Sequence, residues 1–368
     1  MLIPYINLKK QYLDEKPKLI KKIDNCLKNA NFVTNFDEVS KFEKNISKIC
    51  KVKYCVSLNS GTDALTFALH LLGIKKGDEV ITVSNSFIAT TAVIVHLGAT
   101  PVFVDVKDDQ NIDEDLIEGA ITKKTKAILP VHLTGRVCNM IKIMQLSRKY
   151  NIPVIEDCAQ SIMSKYKGKI CGTYGDVGCF SAHPLKNLNA AGDSGYLVTN
   201  NKKIYKKIID LRNHGMSNRN IIRNFGYVSR MDNLQATILN FRLSKLKRVI
   251  SYRRKNFELY KKNLNKKFVY FPEEKKNEFN TYHTFVIQVE KRDRLKKFLK
   301  NKGVETSIHY PIPIHLQPAY KKKFRKKNFL KKTESQSKKI LTLPINQYLK
   351  KKEIKYICKL INNFYEKK

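Results

Sequence analysis

Residues 179–199 read CFSAHPLKNLNAAGDSGYLVT, an apolar strand run that breaks into a turn and restarts as a strand. The break holds Lys186, with Pro184 on one side and Gly192, Asp193 and Gly195 on the other. Lysine is abundant throughout this chain, so its presence alone carries no signal; its position does. One amine held on a loop between two strands is placed to form a Schiff base with a carbonyl group, the way a lysine anchors a carbonyl cofactor. That reading stands only if the other parts of such a site exist elsewhere in the chain.

Working outward, apolar strand runs alternate with helical patterns. Asp63–Leu72 (DALTFALHLL) carries apolar residues at helical spacing and Gly73 ends it. The strand candidates EVITVS, TPVFVDV and KAILPVH follow, then a helical span from Asn139 to Tyr150 and the strand PVIEDC. Near-continuous apolar strands separated by helices predict an α/β domain whose sheet is mostly parallel and covered on both faces. After about Asn240 the pattern changes to lysine-rich helices around a strand at Thr284–Val289. The expected division is a large domain over residues 1–245, including an N-terminal segment 1–30, and a smaller C-terminal domain over 246–368. A long helix from Met231 to about Tyr260 is expected to join them.

Composition narrows the function classes. The chain has 368 residues, 42% hydrophobic and 28% charged, the balance of a soluble globular protein. No run reaches the roughly 18 apolar residues of a membrane helix, and the opening MLIPYINLKKQYLDEK lacks a basic stretch followed by an apolar one, so neither membrane partner nor signal peptide is expected. The eight cysteines form no CxxC pair, which predicts core residues in a reducing cytoplasm and no metal site. The net charge of +39 is nearly all lysine spread along the chain, without a helix-turn-helix, zinc-finger or RNP-like signature. No nucleic-acid partner is expected, although the positive field favours a pyrophosphate-bearing ligand.

Three further motifs bear on Lys186. In Leu58–Asp63 (LNSGTD), Ser60, Gly61 and Thr62 stand where a strand gives way to a helix. A glycine there lets backbone amides approach a phosphate, although the same residue types serve equally as a plain helix cap. Val154–Asp157 ends a buried strand in two carboxylates, with Gln160 one turn on. Ligands of open α/β sheets gather at such strand ends, so Asp157 can face a cofactor; a strand-end Asp can also simply cap a helix. Phe87 in SNSFIAT can cover one face of a ring, or be core.

Phosphate loop, ring-covering aromatic, strand-end Asp and Schiff-base Lys, in that order, resemble fold type I pyridoxal-phosphate (PLP) enzymes. The chain as a whole resembles the DegT-type (DegT/StrS) sugar-nucleotide aminotransferases. The resemblance is carried by IPYINLKKQY, SLNSGTDALTFAL, IEDCAQS, FSAHPLKNLNAAGDSG, LRNHG, SRMDNLQA, TSIHYPIPIHLQPAY and LTLPIN. It implies a mostly parallel seven-stranded sheet in the large domain and a smaller α+β domain. It also implies that Lys186 anchors PLP and moves the proton, and that Asp157 pairs with the pyridinium nitrogen with Gln160 near the ring hydroxyl. Gly61, Thr62 and Ser181, with Ser60, would hold the phosphate, and Phe87 would stack on the ring. His183, His309, Tyr310 and His315 would border the sugar cleft. The implied reaction moves an amino group from L-glutamate to a keto group of a nucleotide-linked deoxysugar, in a cytoplasmic homodimer that supplies cell-surface or antibiotic sugars.

The chain departs from the family pattern in three places. Gly192-Asp193-Ser194-Gly195 stands where many members have GEGG, a form that resembles members aminating carbon 3 rather than carbon 4. Val228 stands where relatives place an Asn that reaches the partner subunit's cofactor phosphate, leaving Ser229 or Arg230 to supply that contact. Asn35 replaces a common glycine, and Asn tolerates positive φ better than most residues. Relatives that dehydrate keto-sugars replace the anchoring lysine with histidine, so Lys186 argues against that reaction. A non-enzymatic PLP-binding regulator is the remaining alternative.

Overall fold

The loop that carries Lys186 also explains the one reversal in an otherwise parallel sheet. The structure is a computed structural model that describes residues 2–29, 37–324 and 329–366; Asn35 lies outside the described residues. The first strands in chain order are β1 (Tyr54–Leu58), β2 (Glu79–Val83), β3 (Thr100–Val104), β4 (Thr125–Ile128) and β5 (Ile155–Asp157). A short hairpin, β6 (Lys165–Tyr166) and β7 (Lys169–Ile170), precedes β8 (Val177–Ser181) and β9 (Gly195–Thr199). Two hydrogen-bonded groups, β1-β9-β8-β5 and β4-β2-β3, meet where β4 runs into β5 through single parallel bridges, Ile128 to Val154 and Val131 to Asp157. The result is a seven-stranded sheet in the order β1-β9-β8-β5-β4-β2-β3. Only β9 runs against its neighbours. Residues 182–194 return to the sheet without a crossover helix, and such a return produces antiparallel pairing.

Alternation along the strands feeds two cores, one on each face. Val56, Ile155, Cys179 and Leu197 pack on one side with α3 (Gly61–Leu71), after α1 (Leu8–Lys28) and α2 (Asp37–Cys50) in the chain. Cys55, Val154, Phe180 and Val198 face the other side with Phe42 and Ile46 of α2. The remaining helices of this part are α4 (Ile88–His96), α5 (Met140–Tyr150) and α6 (Lys202–Leu211). A short ribbon, β10 (Met216–Asn218) and β11 (Ile221–Ile222), exposes Ile221, Ile222 and, just beyond, Phe225.

The expected joining helix is two helices, α7 (Asn233–Leu243) and α8 (Leu246–Asn263). The break falls where the Ser244 hydroxyl turns back to the Phe241 carbonyl and the Lys245 N–H bonds the Arg242 carbonyl, a tighter turn than the α-helix makes. A separate core holds Phe257, Tyr260, Phe285, Leu295, Leu341 and Ile354. It is built from α8, the pair β13 (Phe285–Gln288) and β14 (Ile340–Leu343), and the helices α9 (Arg292–Asn301) and α12 (Lys351–Glu366), whereas the two-residue strand β12 (Glu278–Phe279) pairs with β6 and packs on the first core. Helices α10 (Pro318–Phe324) and α11 (Lys331–Lys339) lie between them in the chain. Ile3 also belongs to this second core, bridging to Val304, although it opens the chain. All eight cysteines are free and buried. Among the described residues no helix is long and apolar enough to cross a membrane.

Candidate active site

The carboxyl ends of β1, β2, β5 and β8 open on a cavity of about 480 Å³. Its walls include Ser60, Gly61, Thr62, Phe87, Asp157 and Gln160, and also Ser181, His183, Lys186, His309 and Tyr310. The chain thus brings together residues separated by up to 250 positions, as the strand-end rule for α/β sheets anticipates.

Lys186 is held by its loop rather than by partners of its amine. Its N–H bonds the His183 carbonyl at 2.9 Å, and Ala182 and Ala190 close the loop by pairing with each other at 2.8 Å. Asn187 donates to the Thr281 carbonyl at 3.0 Å. Asn189 and Gln11 of α1 exchange amide hydrogen bonds at 3.0 and 3.2 Å. Burial pushes the Lys186 amine below its ordinary value, and the Asp157 carboxylate opposes that only in part. A depressed amine is the form that acts as nucleophile and base.

Asp157 ends β5, and its backbone stitches the sheet: its N–H bonds the Pro130 carbonyl and its carbonyl accepts from His132. The side chain accepts the Thr90 hydroxyl at 2.9 Å on Oδ2 and the Ala159 N–H at 3.1 Å on Oδ1. Ser86 and Thr90 hydroxyls lie 2.7 Å apart; with Thr90 donating to the carboxylate, Ser86 donates to Thr90. Burial raises the Asp157 carboxyl above its ordinary value, and these two hydrogen bonds pull it back. Gln160 accepts the Thr134 N–H at 2.8 Å and donates to the Tyr310 hydroxyl at 3.3 Å.

Ser60 is both things its residue type allows. It caps α3, accepting the Asp63 N–H at 3.0 Å, and it lines the cavity. A side chain on Gly61 would put its Cβ 2.8 Å from Ser181 Cβ, and one on Gly195 would lie 2.2 Å from the Ser60 carbonyl carbon. Glycine at these two positions lets the β1–α3 turn close onto β8 and β9, bringing helix-start amides beside Ser181. Amides at a helix start, a desolvated amine, a desolvated carboxylate and the exposed ring of Phe87 fit a flat cofactor with a phosphate at one end and a carbonyl in the middle.

Two candidates lie elsewhere. His315 is buried, with Nδ1 2.7 Å from Ser84 Oγ and Nε2 3.1 Å from Glu334. It ties its segment to the end of β2 and does not line the cavity. Arg230 is exposed, donating to Asn213 Oδ1 at 3.1 Å, and also lies off the cavity wall. Ser229 is spoken for within the chain, donating to Asp63 at 2.6 Å and accepting the Asn59 N–H, while Val228 is exposed.

Sequence reasoning passed over Thr90, Arg253 and His283, all of which line the cavity. Thr90 sits three residues after Phe87, one helical turn along α4, a spacing that was available as a signal. Arg253 was hidden by the crowd of cations around it. His132, Glu156 and Cys158 form a buried cluster whose donor atoms lie within 4.8 Å of one another. Glu156 already accepts from Gly172, Tyr174 and Gly175 at 2.7–2.8 Å and from His132 at 2.9 Å. Cys138 donates to His132 Nδ1, which leaves the ring proton on Nε2 facing Glu156. The cluster is a structural latch between β5 and the turn that follows β7.

A profile of the DegT/DnrJ/EryC1/StrS aminotransferase family matches residues 13–362. A UDP-N-acetyl-3-dehydro-α-D-glucosamine 3-aminotransferase of Acidithiobacillus ferrooxidans is 37% identical, the match covering 98% of this chain and 97% of that one. The crystal structure of Streptomyces venezuelae DesV, solved with a ketimine intermediate, superimposes with a TM-score of 0.95 at 32% identity, covering 99% of each chain. Bacillus subtilis NtdA, solved with the cofactor PMP, gives a TM-score of 0.90 at 32% identity over 98% of this chain and 85% of that one. Family profile, full-length relatives and superposition agree: this chain belongs to the DegT/DnrJ/EryC1/StrS aminotransferase family.

Proposed function

We propose that this sugar aminotransferase takes an amino group from L-glutamate and places it on carbon 3 of a nucleotide-linked keto-sugar. Its cofactor is pyridoxal phosphate. When bound, that group supplies a carbonyl that receives the donor nitrogen and a ring that draws electrons from the carbon losing its proton. The observation that carries the reading is the pairing of a desolvated amine, Lys186, with a desolvated carboxylate, Asp157, in one cavity.

Each residue then has a defined task. Lys186 holds the cofactor in the resting enzyme. Once released, its amine removes a proton from the donor carbon and later returns one, which requires the neutral form that burial favours. Asp157, oriented by its hydrogen bonds from Thr90 and Ala159, would hold a proton on the ring nitrogen. The amides at the start of α3, with Ser60, Thr62 and Ser181, hold the phosphate with help from the helix dipole. Phe87 covers the ring and excludes water from one side. His183, His309 and Tyr310 form the wall toward the sugar.

Carbon 3 is favoured over carbon 4 because Asp193 and Ser194 line the cavity in place of the GEGG form, and because the Acidithiobacillus relative is named for a 3-amino transfer. The exposed apolar ribbon at Ile221, Ile222 and Phe225, with Tyr227 and Val228 beside it, supports a homodimer that covers this surface. The test is to convert the protein to its amine-bearing form with L-glutamate and supply 3-keto and 4-keto nucleotide sugars in parallel. Product located by NMR at carbon 3 supports the reading; product only at carbon 4, or none with either sugar, overturns it.

A further inference from the structure

Among the described residues, every buried or partly buried arginine but one meets a carboxylate. Arg136, Arg212, Arg242 and Arg254 are at least partly buried, and each meets a carboxylate: Glu278 at 2.6 Å, Glu43 at 2.7 Å, Glu15 at 2.9 Å and Glu274 at 2.6 Å. Arg253, the neighbour of Arg254 on α8, is only 6% exposed and has no carboxylate within 4.0 Å among the described residues. A buried guanidinium without an anion is costly, and proteins keep such a charge where something else supplies the counter-charge.

The guanidinium is nevertheless oriented. Nη1 donates to the carbonyls of Tyr282 at 3.1 Å and His283 at 3.0 Å, which fixes its plane. Nη2 reaches Gln347 only at 3.4 Å, and Nε is buried with no hydrogen-bond partner among the described residues. Nε and Nη2 form one edge of the guanidinium, the edge whose two parallel N–H groups match the two oxygens of a carboxylate. This residue lines the same cavity as Lys186, and both charges act on His283, so the two cations share one region. Burial lowers the Arg253 group to about 10, which leaves it charged near neutral pH.

We propose that Arg253 is the anchor for the carboxylate of the amino donor, clamping it side-on through Nε and Nη2 while the donor nitrogen faces Lys186. The assignment rests on the aminotransferase reading above. Every turnover must admit an amino acid, whose carboxylate is its one constant feature, whereas a nucleotide sugar carries its obligatory charge on the pyrophosphate. A sugar acid would present the same chemistry to Arg253, and the two halves of the reaction distinguish these sources. Arg253 acts by positioning, so its loss raises the donor concentration needed without removing the base.

The experiment uses the cofactor-loaded enzyme and its R253Q and R253K variants. Each half-reaction is followed separately by cofactor absorbance, first with L-glutamate and then with the keto-sugar. Binding of glutarate, an unreactive dicarboxylate, is measured by calorimetry. The expected result for R253Q is a rise of about 100-fold in half-saturating L-glutamate, a comparable loss of glutarate affinity and partial rescue in R253K. The keto-sugar half stays within about threefold of wild type. Unchanged donor kinetics and glutarate binding overturn the assignment. So does equal damage to both halves, which marks a purely structural arginine, and so does damage confined to the keto-sugar half, which assigns the carboxylate to a sugar acid. Failure of the wild-type enzyme to react with any amino acid overturns the aminotransferase reading itself, a different result from any of these.

Discussion

Glu156 and Asp157 are neighbours in the chain and face opposite sides of the sheet. Asp157 turns into the cavity to meet Thr90, whereas Glu156 turns into the core to meet His132 and the backbone after β7. The two-residue repeat of a strand separates two chemically similar side chains into one that lines the cavity and one that holds the core.

This separation predicts opposite phenotypes. E156Q replaces an acceptor of four hydrogen bonds with an amide that fits only part of that ring of donors. It is expected to cost about 3 kcal/mol of stability, read from denaturant unfolding. D157N removes a charge that burial disfavours, so its stability is expected to hold or rise while turnover falls at least ~1000-fold. A D157N protein that turns over normally contradicts the assignment.

Thr90 is expected to act through Asp157. Its hydrogen bond pulls the carboxyl down, so T90V leaves Asp157 higher than in wild type. The acid limb of the pH–rate profile therefore moves to higher pH in T90V, with turnover down about 10-fold, and T90S restores both. A profile that does not move separates Thr90 from Asp157.

Gly61, at the start of α3, and Gly192, in the loop after Lys186, are expected to differ in tolerance. In G61A the new Cβ meets Ser181 at 2.8 Å, with backbone behind it, and the turn must open. Loss of about 2 kcal/mol and weakened retention of pyridoxal phosphate on dialysis are expected. In G192A the new Cβ meets only the flexible end of Gln235 at 3.3 Å, and stability is expected within about 0.5 kcal/mol of wild type.

His309 makes the fold sensitive to acid. Burial, reinforced by the charge of Lys186, lowers the ring from 6.5 to about 4. Between those values the unfolded chain binds the proton and the folded one does not, so this contribution to stability is present above pH 6.5 and lost as pH falls toward 4. The full effect is on the order of 3 kcal/mol. In H309Q the decline of thermal stability between pH 6.5 and 4 is expected to be shallower. An identical decline in both proteins refutes it.

The parts of the site that were legible in the sequence are those written locally. A strand that ends in Asp157, a glycine turn that opens α3 and an amine between two strands each leave a pattern within a few residues. Thr90, Arg253 and His283 arrive from other elements, and nothing beside them in the chain says which of many cations or hydroxyls will face the cavity. His315 illustrates the converse: its motif sits beside His309 and Tyr310, yet its ring is consumed by Ser84 and Glu334. The alternation of strands and helices predicted the covered sheet. The place of β9 against its neighbours, and the break between α7 and α8, depend on a loop return and a serine back-bond that hydrophobic periodicity does not register.

In a chain with 71 lysines and arginines, the amine of Lys186 alone is expected to anchor the cofactor. Borohydride reduction of the protein loaded with equimolar pyridoxal phosphate, followed by peptide mass spectrometry, tests it directly. The cofactor mass is expected on the peptide containing Lys186, with no visible-edge absorbance band and no labelled peptide in Lys186→Ala. Label on other lysines with Lys186 unmodified, or an unchanged band in Lys186→Ala, would contradict it.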